Sequence, residues 1–282
     1  MPESQRWGGF RGDFLIANDP PRVAVEAGRV LGGTWLYLGN WMGQFGHWIT
    51  ETLPNAWSLP GMRGDLRGII AHPFIFDNHV KEWQRQLLND AGASGLDILI
   101  DSASAFRVER LVVPTRPVVL NAFAMPEAVE VWERVAQAGA ARSPHRRVFL
   151  SVSAWRESQG RTIPGRTFAN QRETDEVFRN AGFHVVSPET LTVREQVALA
   201  RDAEILAGWS GSALHLSAFA GSDTRILELG DVRSGAAPVP QQRVLTAVRR
   251  QPHGFIPVMQ MPGDAAAYDV SRLAALVSDL SV

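Results

Sequence analysis

His47 and Glu51 stand four residues apart in the run Gly46-His47-Trp48-Ile49-Thr50-Glu51-Thr52-Leu53-Pro54. On a helix, residues four apart share a face and can touch. A neutral imidazole is the side chain best poised to take a proton near pH 7, and a glutamate can orient it. The pair is therefore a candidate general base with its orienting carboxylate. Glu51 as the base itself is the second choice, and an exposed ion pair is the competing reading. The apolar neighbours Phe45, Trp48, Ile49 and Leu53 predict partial burial. Two such side chains without a third nearby make no closed metal site.

A second group of residues suits an anion. Arg156, Arg161 and Arg166 follow a strand ending near Ser153, on a stretch containing Gly and Pro that reads as a loop. Arginines so placed could clamp a diphosphate, although a solvated basic loop would look the same. Asn170 reads as the N-cap of the next helix and could also meet a phosphate there. Trp209-Ser210-Gly211-Ser212-Ala213 joins a strand to a helix, where small residues let an anion approach backbone amides. Neither GxGxxG nor the GxSxG elbow is present, since position 212 is serine. His215 falls inside the following helix and reads as a packed histidine. Glu228 ends a strand, where a carboxylate suits either ribose hydroxyls or the capping of a loop. Among nine tryptophans, Trp41, Trp48, Trp155 and Trp209 sit beside these motifs, and Trp41 and Trp48 are the candidate platforms for an acceptor sugar ring.

Composition removes other chemistries. The 282 residues carry 45% hydrophobic and 20% charged side chains and a formal net charge of -1, so no global field draws the chain to nucleic acid or an anionic membrane. The absence of cysteine excludes disulfides, thiolate nucleophiles and Cys-ligated metals, and fits a reducing, cytoplasmic compartment. Lys81 is the single lysine, so a Walker loop is excluded and an anion must be held by arginine or backbone amides. No leader peptide and no apolar run of about 18 residues are visible, so no spanning helix is expected.

The elements that must position these residues alternate strand and helix. In the first half, strands are expected at Trp35 to Leu38, Gly68 to Ala71, Asp97 to Ile100 and Leu111 to Val113. Helices are expected from Gly46 to Trp57, broken at Pro54, and from Asn78 to Ala93. The small-residue stretch from Ala136 to Pro144 is the linker candidate. In the second half, strands are expected at 147–152, 184–187, 204–208 and 225–229. Capping boxes are expected at Asn170/Glu173 and Thr192/Glu195, and a helix-ending glycine at Gly182. Residues 233–263 read as a long loop with one strand from Phe255 to Met259, and Ser271 to Leu280 as a C-terminal amphipathic helix. Two α/β halves with parallel sheets follow, with ligands outside the carboxyl ends of the strands.

With these motifs in place, the chain resembles glycosyltransferase family 61, which includes bacterial capsular-polysaccharide-type enzymes and eukaryotic xylosyl- and N-acetylglucosaminyltransferases. The family pattern G-H-W-[IL]-x-E-x-L-P is matched by Gly46 to Pro54. The arginines and the Asn-Glu pair are matched by Arg156, Arg166, Asn170 and Glu173, and the G-F-x-V-V-x-P-E run by Gly182 to Gln196. The closing G-x-H-G-[AS]-x-L is matched by Gly208 to Leu214, with Ser210 in place of the usual histidine, and the glutamate-ended strand by Glu228. The resemblance implies a GT-B-like architecture of two Rossmann-like domains facing a cleft. Residues 1–138 would form the acceptor side and residues 139–282 would bind a nucleotide-diphosphate sugar. It also implies inversion at the anomeric carbon without a required metal or other cofactor. The expected partners are a nucleotide sugar and a glycan or glycoconjugate acceptor, with no nucleic acid and no transmembrane segment; peripheral membrane contact and oligomeric state stay open. A nucleotide-sugar epimerase or hydrolase, or a non-catalytic carbohydrate- or nucleotide-binding protein, remains as the alternative.

Overall fold

A computed structural model describes residues 10–11, 14–15, 28–62, 64–74, 79–101, 105–139, 141–159, 169–231, 236–260 and 266–280. The chain divides into two compact units, Met1–Ala138 and Gly139–Val282. Each is a mixed α/β body built on a parallel sheet.

In the first unit, β1 (Phe10–Arg11) and β2 (Phe14–Leu15) form a short antiparallel pair. The main sheet consists of β3 (Arg29–Met42), β4 (Leu66–Phe74), β5 (Asp97–Ile100) and β6 (Phe106–Val112), ordered β5-β4-β3-β6 and parallel throughout. β3 is far longer than the Trp35 to Leu38 segment expected of it. Its pairing slips between Leu31 and Thr34 against β6, and between Tyr37 and Asn40 against β4. Gly33 and Gly39 lie at these slips with φ of 81° and 76°, a backbone open to glycine at no steric cost.

A helical run follows β3: α1 (Phe45–His47), a π-helical turn (Trp48–Thr52), a 3-10 turn (Leu53–Ser58) and α2 (Leu59–Met62). Two residues explain the change of pitch. Pro54 brings no N–H to the ladder, and the Thr50 hydroxyl donates back to Gly46 O at 2.8 Å. α3 (Glu82–Leu88) is shorter than expected and passes into a π turn at Asn89–Ala93. β7 (Val118–Val119) and β8 (Phe123–Ala124) make a small hairpin. α4 (Pro126–Ala138) buries Ala128, Val131, Trp132, Val135 and Ala136, a 3.6-residue stripe that extends helix into the expected linker.

The second unit carries β9 (Arg147–Leu150), β10 (His184–Val186), β11 (Ile205–Trp209), β12 (Arg225–Leu229) and β13 (His253–Ile256). They are all parallel and ordered β10-β9-β11-β12-β13. α5 (Ser153–Gln159) occupies the start of the expected arginine loop. α6 (Gln171–Asn180) ends as expected: Gly182 has φ 80°, its N–H bonds Arg179 O, and Phe183 N–H bonds Phe178 O. α7 (Val193–Asp202) starts with the Thr192/Glu195 capping box. The Asn170/Glu173 box does not form, because Asn170 turns its amide elsewhere. The segment after Trp209 enters a six-residue 3-10 helix, Leu214–Phe219, rather than an α-helix.

The region expected to be a long loop contains α8 (Pro240–Arg249). Proline is tolerated in a first helical turn, and the buried side of α8 carries Gln241, Gln242 and Thr246 beside Val244 and Leu245. That polar buried stripe hides the helical pattern. β14 (Met259–Gln260) and β15 (Ala266–Ala267) pair briefly before α9 (Val270–Asp279). The core joins Phe149, Phe178, Phe183, Trp209 and Leu229 to Tyr268, Leu273 and Val277. No helix among the described residues is long and apolar enough to cross a membrane.

Candidate active site

In the first unit the chain winds from β3 to β4 to β5 on one side, then places β6 on the other side of β3. The strand order thus reverses between β3 and β6, the place where open α/β sheets offer a crevice beyond their carboxyl ends. The residues that follow these two strands meet there.

The helical run after β3 is tied to the bulged end of that strand by two side chains. Thr52 Oγ1 accepts from Met42 N at 3.2 Å and donates to Asn40 O at 2.8 Å. Asn55 Nδ2 donates to Leu38 O at 2.8 Å and to Glu51 O at 2.9 Å. The Trp132 indole donates to Ile49 O at 2.8 Å from α4. These bonds take up carbonyls around the bulge and the π turn and tie down the backbone that carries Glu51.

Glu51 is buried, with 2% of its side chain exposed, while His47 is 36% exposed. His47 Nδ1 lies 2.6 Å from Glu51 Oε1, so the expected i,i+4 contact forms. The other carboxylate oxygen faces Arg116, whose Nη2 is 3.8 Å from Oε2. With Glu51 ionised its carboxylate can only accept, and the hydrogen of this contact then sits on Nδ1. The arrangement matches the way a buried acid orients a catalytic imidazole.

Arg116 was not singled out by sequence. It lies on the link after β6, 65 positions from Glu51, with no spacing signal to connect them. Tyr37 on β3 and His72 on β4 were missed too; their side chains pair at 3.0 Å, Tyr37 Oη to His72 Nδ1. Burial pushes the Tyr37 phenol up, with Arg116 opposing, and pushes the His72 imidazole down, with Asp101 opposing.

Trp41 and Trp48 are corrected from platforms to core. Both are fully buried, and their rings meet edge to face at 5.7 Å. Trp41 Nε1 donates to Gln84 Oε1, and Trp48 packs on Trp83. A ring with no exposed face cannot stack on a sugar. Trp209 is buried as well, and Trp155 is exposed.

In the second unit the order reverses between β9 and β11. Ser151 to Ser153 and α5 follow the first of these strands, and Ser210 to Ala213 follow the second. Ser151 Oγ donates to Asp175 Oδ2 at 2.8 Å and accepts from Ser153 N at 3.2 Å. Arg156 lies on α5. Its side chain, with Arg161 and Arg166, falls outside the described residues.

Ser210 and Glu228 are brought together: Ser210 Oγ donates to Glu228 Oε1 at 2.6 Å, and Val239 N donates to the same oxygen at 3.1 Å. His253 Nε2 stands 3.2 Å from Oε2. Glu228 is fully buried, so of the two readings of this carboxylate the geometry is that of a capped loop, not of an open ribose contact. Gly211 has φ 138° and Ser212 is exposed, but a short 3-10 turn follows instead of an aligned α-helix dipole. His215 is buried, as expected. Asn170 Nδ2 donates to Tyr268 O at 2.7 Å and its Oδ1 accepts from Tyr268 N at 3.1 Å, so its amide clamps α6 to the chain before α9.

The family model described as Glycosyltransferase 61 matches residues 45–227, more than half of the chain. The match opens at the first residue of α1 and closes one residue before Glu228. No curated protein matches the chain.

Proposed function

Because the chain belongs to glycosyltransferase family 61, which indicates glycosyltransferase activity in general, we propose that it moves a sugar from a nucleotide-diphosphate donor to a hydroxyl of a glycan or glycoconjugate, with inversion and without a metal. The observation that carries this reading is the His47–Glu51 pair, a partly exposed imidazole whose Nδ1 meets a buried carboxylate at 2.6 Å.

In this reading the acceptor hydroxyl gives its proton to His47 Nε2 as its oxygen attacks the anomeric carbon. Glu51 holds the ring and stabilises the imidazolium that forms. The 2% exposure of Glu51 argues against its acting as the base, since no acceptor reaches a sealed carboxylate. The second unit holds the donor, as a GT-B-like architecture assigns it. Support comes from its β9/β11 strand-order reversal, from the family arginines matched by Arg156 and Arg166, and from Arg161 and the Ser210 to Ser212 segment read from the sequence. Arginines there take the place of a metal in neutralising the leaving diphosphate.

The test is His47→Ala, with donor affinity measured separately by thermal shift against nucleotide diphosphates and their sugars. Turnover is expected to fall by about 10²–10⁴-fold while donor affinity holds. Turnover within a few-fold of wild type removes His47 as the base. The wild-type rate is expected to survive excess EDTA, and loss restored by Mn²⁺ or Mg²⁺ overturns the metal-free mechanism.

A further inference from the structure

We propose that Arg116 is the positioning residue that keeps Glu51 ionised and so decides which nitrogen of His47 faces the acceptor. The inference rests on the reading of His47 as base and names the group that makes the base competent.

Three observations carry it. Arg116 and Glu51 are buried side by side, 9% and 2% exposed, with Nη2 and Oε2 3.8 Å apart. The two oxygens of Glu51 divide the work: Oε1 faces His47 and Oε2 faces Arg116. The backbone carrying Arg116 is fastened on both sides, since the Trp57 indole donates to Thr115 O at 2.9 Å and Met125 N donates to Pro117 O at 2.7 Å. Arg116 therefore stands where a long, flexible side chain is held by its own backbone.

A buried carboxylate without a cation tends to take a proton. A protonated Glu51 would donate to Nδ1 instead of accepting from it. His47 would then spend its lone pair on Glu51 and turn an N–H outward, toward a hydroxyl it could no longer deprotonate. With Glu51 protonated, the neutral Nδ1–H form is lost. Among the described residues, the charged and titratable groups that face this cluster include Glu51 from the π turn, Arg116 from the β6–β7 link, Tyr37 from β3 and His72 from β4, with Asp101 acting on His72.

The experiment reads the ring directly and needs no substrate. Long-range ¹H–¹⁵N spectra of the full chain at pH 8 are recorded for wild type, Arg116→Met and Arg116→Lys, with the His47 signals assigned by their loss in His47→Asn. Wild type is expected to show the Nδ1–H tautomer. Arg116→Met is expected to lose it while the His253 and His215 signals stay in place, and Arg116→Lys to keep it. Under transfer conditions that wild type supports, Arg116→Met should lower kcat at least tenfold and leave donor KM within threefold. A folded Arg116→Met with the wild-type tautomer overturns the proposal, as does a wild-type ring in the Nε2–H form. A wild-type chain with the expected tautomer but no transfer overturns the functional reading instead. Should Arg116→Met fail to fold, Arg116→Gln replaces it, judged by the same tautomer.

Discussion

The two sheets are both parallel, and both reverse their strand order, yet they are built to different standards of regularity. The second unit has short strands of three to five residues in even register, with a capping box at the head of α7 and a glycine-ended α6. The first unit runs one 14-residue strand through several register shifts into a helix that changes from α to π to 3-10 within 14 residues. The irregular unit is the one that holds the oriented imidazole. Bulges and π turns are over-represented beside functional sites because they re-aim side chains that regular elements would point elsewhere. Here the widened turn keeps His47 at the surface while Glu51, one turn on, is inside.

The same device, an asparagine amide clamping backbone, occurs in both units among the described residues, at Asn55 and at Asn170, and gives a way to break this comparison. Asn55→Ala removes the donor shared by Leu38 O and Glu51 O, in a buried place. A loss of about 1–3 kcal/mol of stability is expected, with a fall in turnover because the freed carbonyl belongs to Glu51. Asn170→Ala removes the tie to Tyr268 in a half-buried place. A smaller loss, about 1–2 kcal/mol, is expected, with donor affinity unchanged. Urea melts paired with donor titrations check both. If Asn170→Ala weakens the donor without changing the melt, Asn170 is a ligand-contacting residue and the second unit is the less passive of the two. The smallest effect belongs to Thr192→Ala. It removes an exposed cap that accepts from Glu195 N at 3.3 Å, for a loss of about 0.5–1 kcal/mol with no change in rate. A larger change in rate than in stability there would mean that the regular unit transmits strain to the site.

Much of the second unit was legible because its signals are local. The Thr192/Glu195 box, the glycine after α6 and the strand at 225–229 each depend on neighbours within a few residues. α8 was not legible, because its buried side sets Gln241, Gln242 and Thr246 beside Val244 and Leu245 and so breaks the apolar stripe. Gln242 Nε2 donates to Ser217 Oγ at 2.8 Å, and Thr246 Oγ1 donates to Gln242 O at 3.0 Å. The length of β3 was hidden by the glycines that make it possible. The role of Trp41 and Trp48 was misread because an indole suits both a core and a sugar platform, and only burial separates the two.

By itself the sequence determined the alternation of strand and helix, the family, and the contact between His47 and Glu51, since four residues on a helix are one turn apart whatever surrounds them. Only the tertiary structure decided that Glu51 is buried while His47 is not, that Arg116 stands behind the carboxylate, and that Asn170 and Glu228 are engaged with Tyr268, Val239 and Ser210. The reason is physical. Periodicity and capping act through bonds and turns a few residues long, whereas burial and charge pairing depend on which distant segments a sheet brings to one edge.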